Sequence, residues 1–281
     1  MVLRPRNALI AAAMGVALLV LTWLLAFHAG AFGNVDQSVF RDFNRLGEHV
    51  RLAGIARFVA DLCNPNPYVY LAAVPVVIAL SRRRLRLVLA VGTILLGANV
   101  TTQLLKPLLA HPRAASLFGG VSPLGPASWP SGHATAAMAL ALSTILAAPA
   151  RFRPLAAAVG ATFAVAVSYS FLSLGWHYPS DVFGGYLVAA TWTLLAIAAL
   201  RSRDPIRPRR EPDRRLSLRA ALTPALGAVA LAGGLTIGLA LARPHEVVTY
   251  ARGHAVFMVG AAAIGVVALA LATALVLALR R

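Results

Sequence analysis

The residues KPLLAHPR at positions 106–113, PSGH at 130–133 and HYPSD at 177–181 organise this chain. Each motif stands at the end of a long apolar stretch. Ionisable side chains beside hydrocarbon are costly, so histidines, cations and an aspartate gathered at such ends indicate a functional site. We therefore predict that the three motifs meet in one active site, held in place by helices that cross a membrane.

The composition is that of a membrane protein. Of the 281 residues, 59% are hydrophobic and only 12% are charged, whereas roughly 25% are charged in soluble domains. The mean hydropathy is +0.75, and apolar runs of about 20 residues recur along the chain. The predicted fold class is therefore all-α, a polytopic membrane helical bundle.

Eight apolar runs predict eight transmembrane helices. The first run is longer than the roughly 7–15 residues of a signal-peptide core, so we expect it to be retained. The second is short and contains Pro75, so it must borrow residues from Asn64 onward. The predicted spans lie near 8–27, 68–80, 87–105, 134–150, 155–174, 182–200, 220–242 and 255–279.

Two other segments are too polar to be spans. Residues 31–67 place Val39, Phe40 and Phe43 at helical spacing, which predicts amphipathic helix lying at the membrane interface. This segment is either a connector or a wall of a lipid entry site. Residues 201–219 contain eight arginines and are predicted to form a basic cytoplasmic linker with little order.

The basic residues predict orientation rather than nucleic-acid binding. The net charge is +17, but the arginines lie in clusters between apolar runs, not along one basic face. With eight spans, 18 basic residues fall on the side of the two termini and 8 on the other. The positive-inside rule makes both termini cytoplasmic and puts the motifs at the extracytoplasmic face. The preference for arginine over lysine favours a bacterial plasma membrane.

The PSGH motif stands directly before the fourth predicted span. A helix N-terminus binds anions through its free N–H groups and its dipole. Ser131 can cap the helix or donate its hydroxyl, and Gly132 lets an oxyanion approach the backbone. As a cap alone the motif would be unremarkable, but His133 adds a titratable group at the first turn.

His177 and Asp181 are four positions apart. If a helix begins near Tyr178, the carboxylate can reach one imidazole nitrogen, fix the tautomer and leave the other nitrogen as a nucleophile. Asp181 is the only carboxylate between residues 62 and 203. A two-metal site needs several carboxylates or histidines, so we expect no metal and no cofactor.

Lys106, the only lysine, and Arg113 supply positive charge near these motifs. They could neutralise phosphoryl oxygens in a transition state. The alternative is that both side chains only snorkel to the membrane interface.

Taken together, these motifs resemble the type-2 phosphatidic acid phosphatase family, the membrane branch of the phosphatase and vanadium haloperoxidase superfamily. The family pattern is K-x6-R-P, then P-S-G-H, then S-R-x5-H-x3-D. Lys106 and Arg113 fit the first motif, although Ala114 replaces the usual proline, and residues 130–133 fit the second in full. The third is matched by Ser170, His177 and Asp181.

The resemblance implies a six-helix phosphatase core within residues 1–200, with residues 220–281 forming two additional transmembrane helices. It also implies that His177 is the nucleophile that forms a phosphohistidine and that Asp181 orients it. His133 would protonate the leaving alcohol and then activate water. The implied phosphate-binding residues are Lys106, Arg113, Ser131 and Gly132.

One departure concerns the arginine of the third motif, which is replaced by Phe171. Loss of a bidentate phosphate ligand weakens transition-state stabilisation. Three readings stay open: His111 or Arg252 compensates, the substrate presents its phosphate differently, or hydrolysis is weak or lost.

The resulting expectation is metal-independent hydrolysis of a lipid phosphate or diphosphate at the outer membrane face. The expected partners are that lipid and the bilayer, without nucleic acid, and the sequence does not predict an oligomeric state. Two alternatives remain: a phosphotransferase that uses the same histidine pair, and a non-catalytic lipid-binding or scaffold protein with a decayed site.

Overall fold

A computed structural model describes residues 4–111, 124–202 and 217–280. Within these ranges the chain consists of helices and their connections, without strands, which confirms the all-α prediction. The helices are α1 (Pro5–His28), α2 (Gly30–Gly47), α3 (Val50–Asp61), α4 (Pro65–Ser81), α5 (Leu85–Leu108), α6 (Gly132–Ala147), α7 (Arg153–Ser173), α8 (Pro179–Ser202), α9 (Leu218–Ala242), α10 (Pro244–Gly253) and α11 (Ala255–Ala278). Arg113 and most of the predicted 201–219 linker lie outside the described residues.

Prolines mark the starts of several helices. Proline is favoured in the first turn because its fixed φ suits a helix and its missing N–H would lack an intrahelical partner there. The prolines in question are Pro5, Pro65, Pro154, Pro179 and Pro244. These positions therefore determine where the chain enters the bundle.

Five described helices are long and apolar enough to cross a membrane: α1, α5, α7 with its preceding turn, α8 and α11. Helices α3 and α4 pass the same test only as a pair, bent by 57° at their junction. Helix α6 has 16 residues, which is roughly 24 Å against a hydrocarbon core of about 30 Å. Every predicted span thus coincides with a helix, but α4 and α6, at the predicted spans 68–80 and 134–150, are too short to cross a membrane alone.

Helices α6 and α8 form the centre of the bundle. Almost every residue of α6 from Ala134 to Ala147 is buried, and α8 buries most of its first half. Small residues allow this close approach. A Cβ added to Gly185 of α8 would lie 2.7 Å from the Ser131 carbonyl oxygen, and one added to Gly160 of α7 would lie 2.8 Å from Ala141 Cβ. The starts of α6 and α8 are therefore held against each other.

The segment at 31–67 forms two amphipathic helices, α2 and α3, and continues into α4. Their apolar faces have different surroundings. In α2, Phe40 packs on Tyr178 with ring centroids 4.6 Å apart, and Phe43 packs on Tyr169 at 5.1 Å. In α3, Val50, Ile55 and Phe58 remain exposed, Phe58 at 69%, whereas Val59 packs against the core. The α2 stripe thus covers the bundle rather than lipid, and an interfacial position remains a prediction for α3.

The C-terminal helix α11 packs on α7. The Tyr169 hydroxyl donates to the Ala261 carbonyl at 2.6 Å, and His254 Nδ1 lies 3.1 Å from Asp42 Oδ2 of α2. Ile264 and Ala268 are fully buried in the same core as α6 and α8. The last helix therefore continues the core of the bundle, although the sequence motifs end before it.

The two ends of the bundle differ in character. At one end, arginines donate to carbonyls at helix C-termini, where cations are favourable: Arg82 to Ala147 at 2.8 Å, Arg153 to Leu279 at 2.8 Å and Arg201 to Ala278 at 3.4 Å. At the other end, α5 and α1 finish beside the start of α6, and Trp23 donates to the Leu109 carbonyl. The arginine-rich end and the motif end are thus opposite.

Candidate active site

His177 and Asp181 meet where α8 begins. Asp181 Oδ2 lies 3.2 Å from His177 Nδ1 and accepts a 2.9 Å hydrogen bond from the Tyr178 N–H. Both side chains are buried. An ionised carboxylate only accepts, so Nδ1 carries the hydrogen and the neutral ring keeps its lone pair on Nε2. The structure therefore brings this predicted pair together in the arrangement that a nucleophilic imidazole needs.

The PSGH motif starts α6 as the sequence predicts. Ser131 is the N-cap residue, and its Oγ accepts from the Ala134 N–H at 3.3 Å. The Ser131 N–H donates to the Asp181 main-chain carbonyl at 2.9 Å. Two helix N-termini consequently converge beside the His177–Asp181 pair, and their dipoles favour an anion between them.

Lys106 approaches this point from the last turn of α5. A Cβ added to Gly132 would lie 3.9 Å from Lys106 Nζ and 3.5 Å from Gln103 Nε2. The ammonium group therefore stands over the start of α6, as a phosphate ligand would. Arg113, the second predicted cation, lies outside the described residues.

His133 faces residues that the motifs do not include. Its Nε2 lies 3.0 Å from Asn64 Oδ1, and Asn64 Nδ2 donates to Asp61 Oδ1 at 3.0 Å. Its ring also packs on Trp176, with centroids 5.7 Å apart. His133 is thus held by the α3–α4 junction on one side and by the segment before His177 on the other.

Phe171 lies against both histidines. Its ring is fully buried, with its centroid 5.2 Å from that of His177 and 5.9 Å from that of His133. The place where the family motif has a guanidinium is therefore filled by an apolar ring in contact with both imidazoles.

The two residues considered as compensation lie in other surroundings. The His111 ring packs on Phe27 at 5.8 Å and on His28 at 5.4 Å, near the end of α1. Arg252 is exposed on α10. The described contacts place neither beside the imidazoles, and compensation by either stays a prediction.

Asp36 is a buried carboxylate that motif analysis did not select. Its Oδ1 accepts from the Ser180 N–H at 2.8 Å, and its Oδ2 accepts from the Ser180 hydroxyl at 2.7 Å. It therefore caps the start of α8 from α2. One feature of the sequence could have identified Asp36: it is an acidic residue on the apolar face of a predicted amphipathic helix. That face also carries Val39, Phe40 and Phe43.

No three His, Cys, Asp or Glu side chains are placed to share a metal ion within the residues that the structure describes. Metal-independent chemistry stays a prediction.

Residues 87–204 match the family model of the PAP2 superfamily. The match covers less than half of the chain and is consistent with a type-2 phosphatidic acid phosphatase family member. The match runs from α5 through α8 and contains all three motifs, so the family predicted from them is confirmed. Neither the search of curated proteins nor that of solved structures gives a match.

This match supports a phosphatase-type activity, that of a phosphoric ester hydrolase. Asp36 lies in α2, and Asp61 and Asn64 lie at the α3–α4 junction, all before the matched segment. The site is therefore built from the PAP2 segment together with contributions from α2 and the α3–α4 junction.

Proposed function

We propose that the protein hydrolyses a lipid phosphate or diphosphate at the extracytoplasmic face of a bacterial plasma membrane, without a metal and through a phosphohistidine. The observation on which this proposal rests is the His177–Asp181 pair beside the converging starts of α6 and α8. A nucleophile, an orienting carboxylate and an anion site are thereby combined.

In the first step, His177 Nε2 attacks phosphorus and an N–P bond forms. The P–O bond to the lipid alcohol breaks, and its electron pair stays on that oxygen, which receives a proton from His133. Asp181 continues to accept from Nδ1 and stabilises the positive charge that develops on the ring.

In the second step, a water oxygen attacks phosphorus and gives a proton to His133. The N–P bond breaks, its electron pair returns to His177 Nε2, and phosphate leaves. Lys106, Arg113, the Ser131 hydroxyl and the Gly132 N–H hold the phosphoryl oxygens, which bear the charge of a loose transition state.

An apolar groove on the same side of α6 as His133 supports a lipid substrate. The groove, of about 230 Å³, lies between α4, α6 and α7 and is lined by Leu71, Leu140 and Phe163. Leu140 follows His133 by seven positions, which places it on the same face of α6 about 10 Å further along. A leaving alcohol protonated by His133 can therefore extend its hydrocarbon chain into this groove.

The test is phosphate release by purified protein in detergent with EDTA, over a panel of lipid phosphates and diphosphates. We expect activity that His177→Ala and His133→Ala each abolish, and an acid-labile phosphoprotein that His177→Ala no longer forms. Activity that survives both substitutions would contradict the assigned roles. Absence of phosphate release from every lipid would favour the scaffold alternative.

A phosphotransferase is the second candidate because Phe171 places an apolar ring against both imidazoles. A site with less room for water favours transfer of the phosphoryl group to an acceptor alcohol. This candidate predicts that products form only when such an alcohol is added.

A further inference from the structure

Asn64 stands at the start of α4 but does not cap it. It occupies the N-cap position, and its side chain makes no capping hydrogen bond. An N-cap side chain accepts from the N–H of the second or third helical residue. The third residue here is Pro67, which has no N–H. The Asn64 side-chain oxygen therefore cannot accept a hydrogen bond from residue 67, and it contacts His133 instead.

The contact with Asp61 decides which atom of the amide faces His133. A carboxylate can only accept, so the amide nitrogen points to Asp61 and the oxygen points to the imidazole. The oxygen in turn can only accept, so His133 Nε2 must carry a hydrogen. The neutral ring is then unprotonated at Nδ1.

The position of Asp61 indicates that this residue does not serve to stabilise its own helix. It is the last residue of α3, and a negative charge at a helix C-terminus is unfavourable. The 57° bend between α3 and α4 brings Asp61 to Asn64. Through Asn64, the carboxylate can stabilise a positive charge on His133.

We propose that Asp61 and Asn64 are positioning residues that hold His133 as its Nε2–H tautomer, so that Nδ1 exchanges the catalytic proton. This inference rests on the proposed function. Protonated Nδ1 gives its hydrogen to the leaving oxygen, and unprotonated Nδ1 takes one from the attacking water. Both residues lie at the α3–α4 junction, which precedes the segment that matches the PAP2 superfamily.

The tautomer can be measured without any turnover. Histidine labelled with 15N in the purified, detergent-solubilised protein distinguishes protonated from unprotonated ring nitrogens by NMR, and His133→Gln assigns the signal. We expect an Nε2–H ring in the wild type and a mixture of tautomers in Asn64→Leu. A wild-type ring protonated at Nδ1, or an unchanged spectrum in Asn64→Leu, would overturn the proposal.

Kinetics test the consequence for catalysis. p-Nitrophenolate leaves without a proton, whereas the alkoxide of dodecyl phosphate needs one. In Asn64→Leu and Asp61→Asn we expect kcat on dodecyl phosphate to fall roughly tenfold to a hundredfold, within the about 10²–10⁴-fold that a general acid–base contributes, with little change in KM. On p-nitrophenyl phosphate, the burst of nitrophenolate should persist while steady turnover slows.

Two variants complete the design. Asn64→Asp keeps an acceptor for Nε2–H and should retain more activity than Asn64→Leu, whereas Asn66→Ala, an exposed neighbour, should match the wild type. If the nitrophenolate burst on p-nitrophenyl phosphate falls as much as kcat on dodecyl phosphate, Asp61 and Asn64 have a structural role, which would contradict the proposal. A wild type that releases no phosphate from any substrate would defeat the proposed function, while the NMR result would still decide the tautomer.

Discussion

Phe171 packs its ring edge-on against His177, with centroids 5.2 Å apart and an interplanar angle of 77°. The same ring contacts His133. In the PAP2 motif this position belongs to an arginine, whose guanidinium would hold the phosphate. The phenyl ring instead makes an apolar wall against both imidazoles. Under the proposed function, the phosphoryl charge must then be stabilised by other groups, such as the start of α6 and Lys106.

Phe171→Arg should therefore raise phosphate release. A charge-assisted hydrogen bond contributes about 1.5–3 kcal/mol, which corresponds to roughly 10- to 100-fold. The measurement is hydrolysis of a lipid phosphate with EDTA present, with Phe171→Leu as the control for lost packing. A folded Phe171→Arg protein with unchanged activity would show that another group already compensates or that the phosphate approaches from elsewhere.

Asp181→Asn should reduce kcat by roughly 10²–10⁴-fold, the range of a general acid–base contribution. An amide can donate to Nδ1, so it no longer selects the tautomer with a free Nε2 lone pair. The assay is phosphoprotein formation and turnover. Glu48→Gln, an exposed acid at the end of α2, is the matched control and should leave both unchanged. Normal phosphoprotein formation in Asp181→Asn would refute the orienting role.

Asp36→Ala should destabilise the start of α8. The substitution removes two hydrogen bonds to Ser180, and losing a capping or buried partner costs about 1–3 kcal/mol. Thermal unfolding in detergent measures the effect, and activity should fall with it because α8 holds Asp181. A double-mutant cycle with Ser180→Ala isolates the hydroxyl contact: additive losses would mean that the two side chains do not interact.

The sequence could predict contacts that depend on local geometry. His177 and Asp181 are four positions apart at a helix start, and the Ser131 cap follows from its place before an apolar run. Asp36 and Ser180 are separated by 144 positions, and Asn64 and His133 by 69. Those contacts depend on how α2 and the α3–α4 junction pack, which spacing alone does not determine.

The periodicity of apolar residues also could not predict whether the amphipathic helices face lipid or protein. A stripe such as Val39, Phe40 and Phe43 looks the same whether it faces lipid or protein. In the structure it faces Tyr169 and Tyr178. The buried Asp36 on that stripe is the feature that favours protein, because a carboxylate needs a partner that lipid does not offer.

Gly185→Val should separate the starts of α6 and α8. A Cβ at this position would lie 2.7 Å from the Ser131 oxygen and 2.9 Å from the Thr135 nitrogen, and both are backbone atoms that cannot rotate away. Overpacking of this kind costs about 1–3 kcal/mol, and we expect activity to be lost. Gly92→Ala on α5 has open space around its Cβ and should keep full activity. An active Gly185→Val protein would mean that the close approach is dispensable.

Leu71→Trp should shorten the hydrocarbon chain that the site accepts, because Leu71 lines the groove between α4, α6 and α7. Excluding about two methylenes, at about 0.8 kcal/mol each, raises KM for dodecyl phosphate roughly tenfold. KM for butyl phosphate should not change, because so short a chain does not reach Leu71. Val69→Trp, at an exposed position two residues earlier, is the matched control. If both variants affect the two substrates equally, the lipid chain lies elsewhere and the groove is not part of the substrate site.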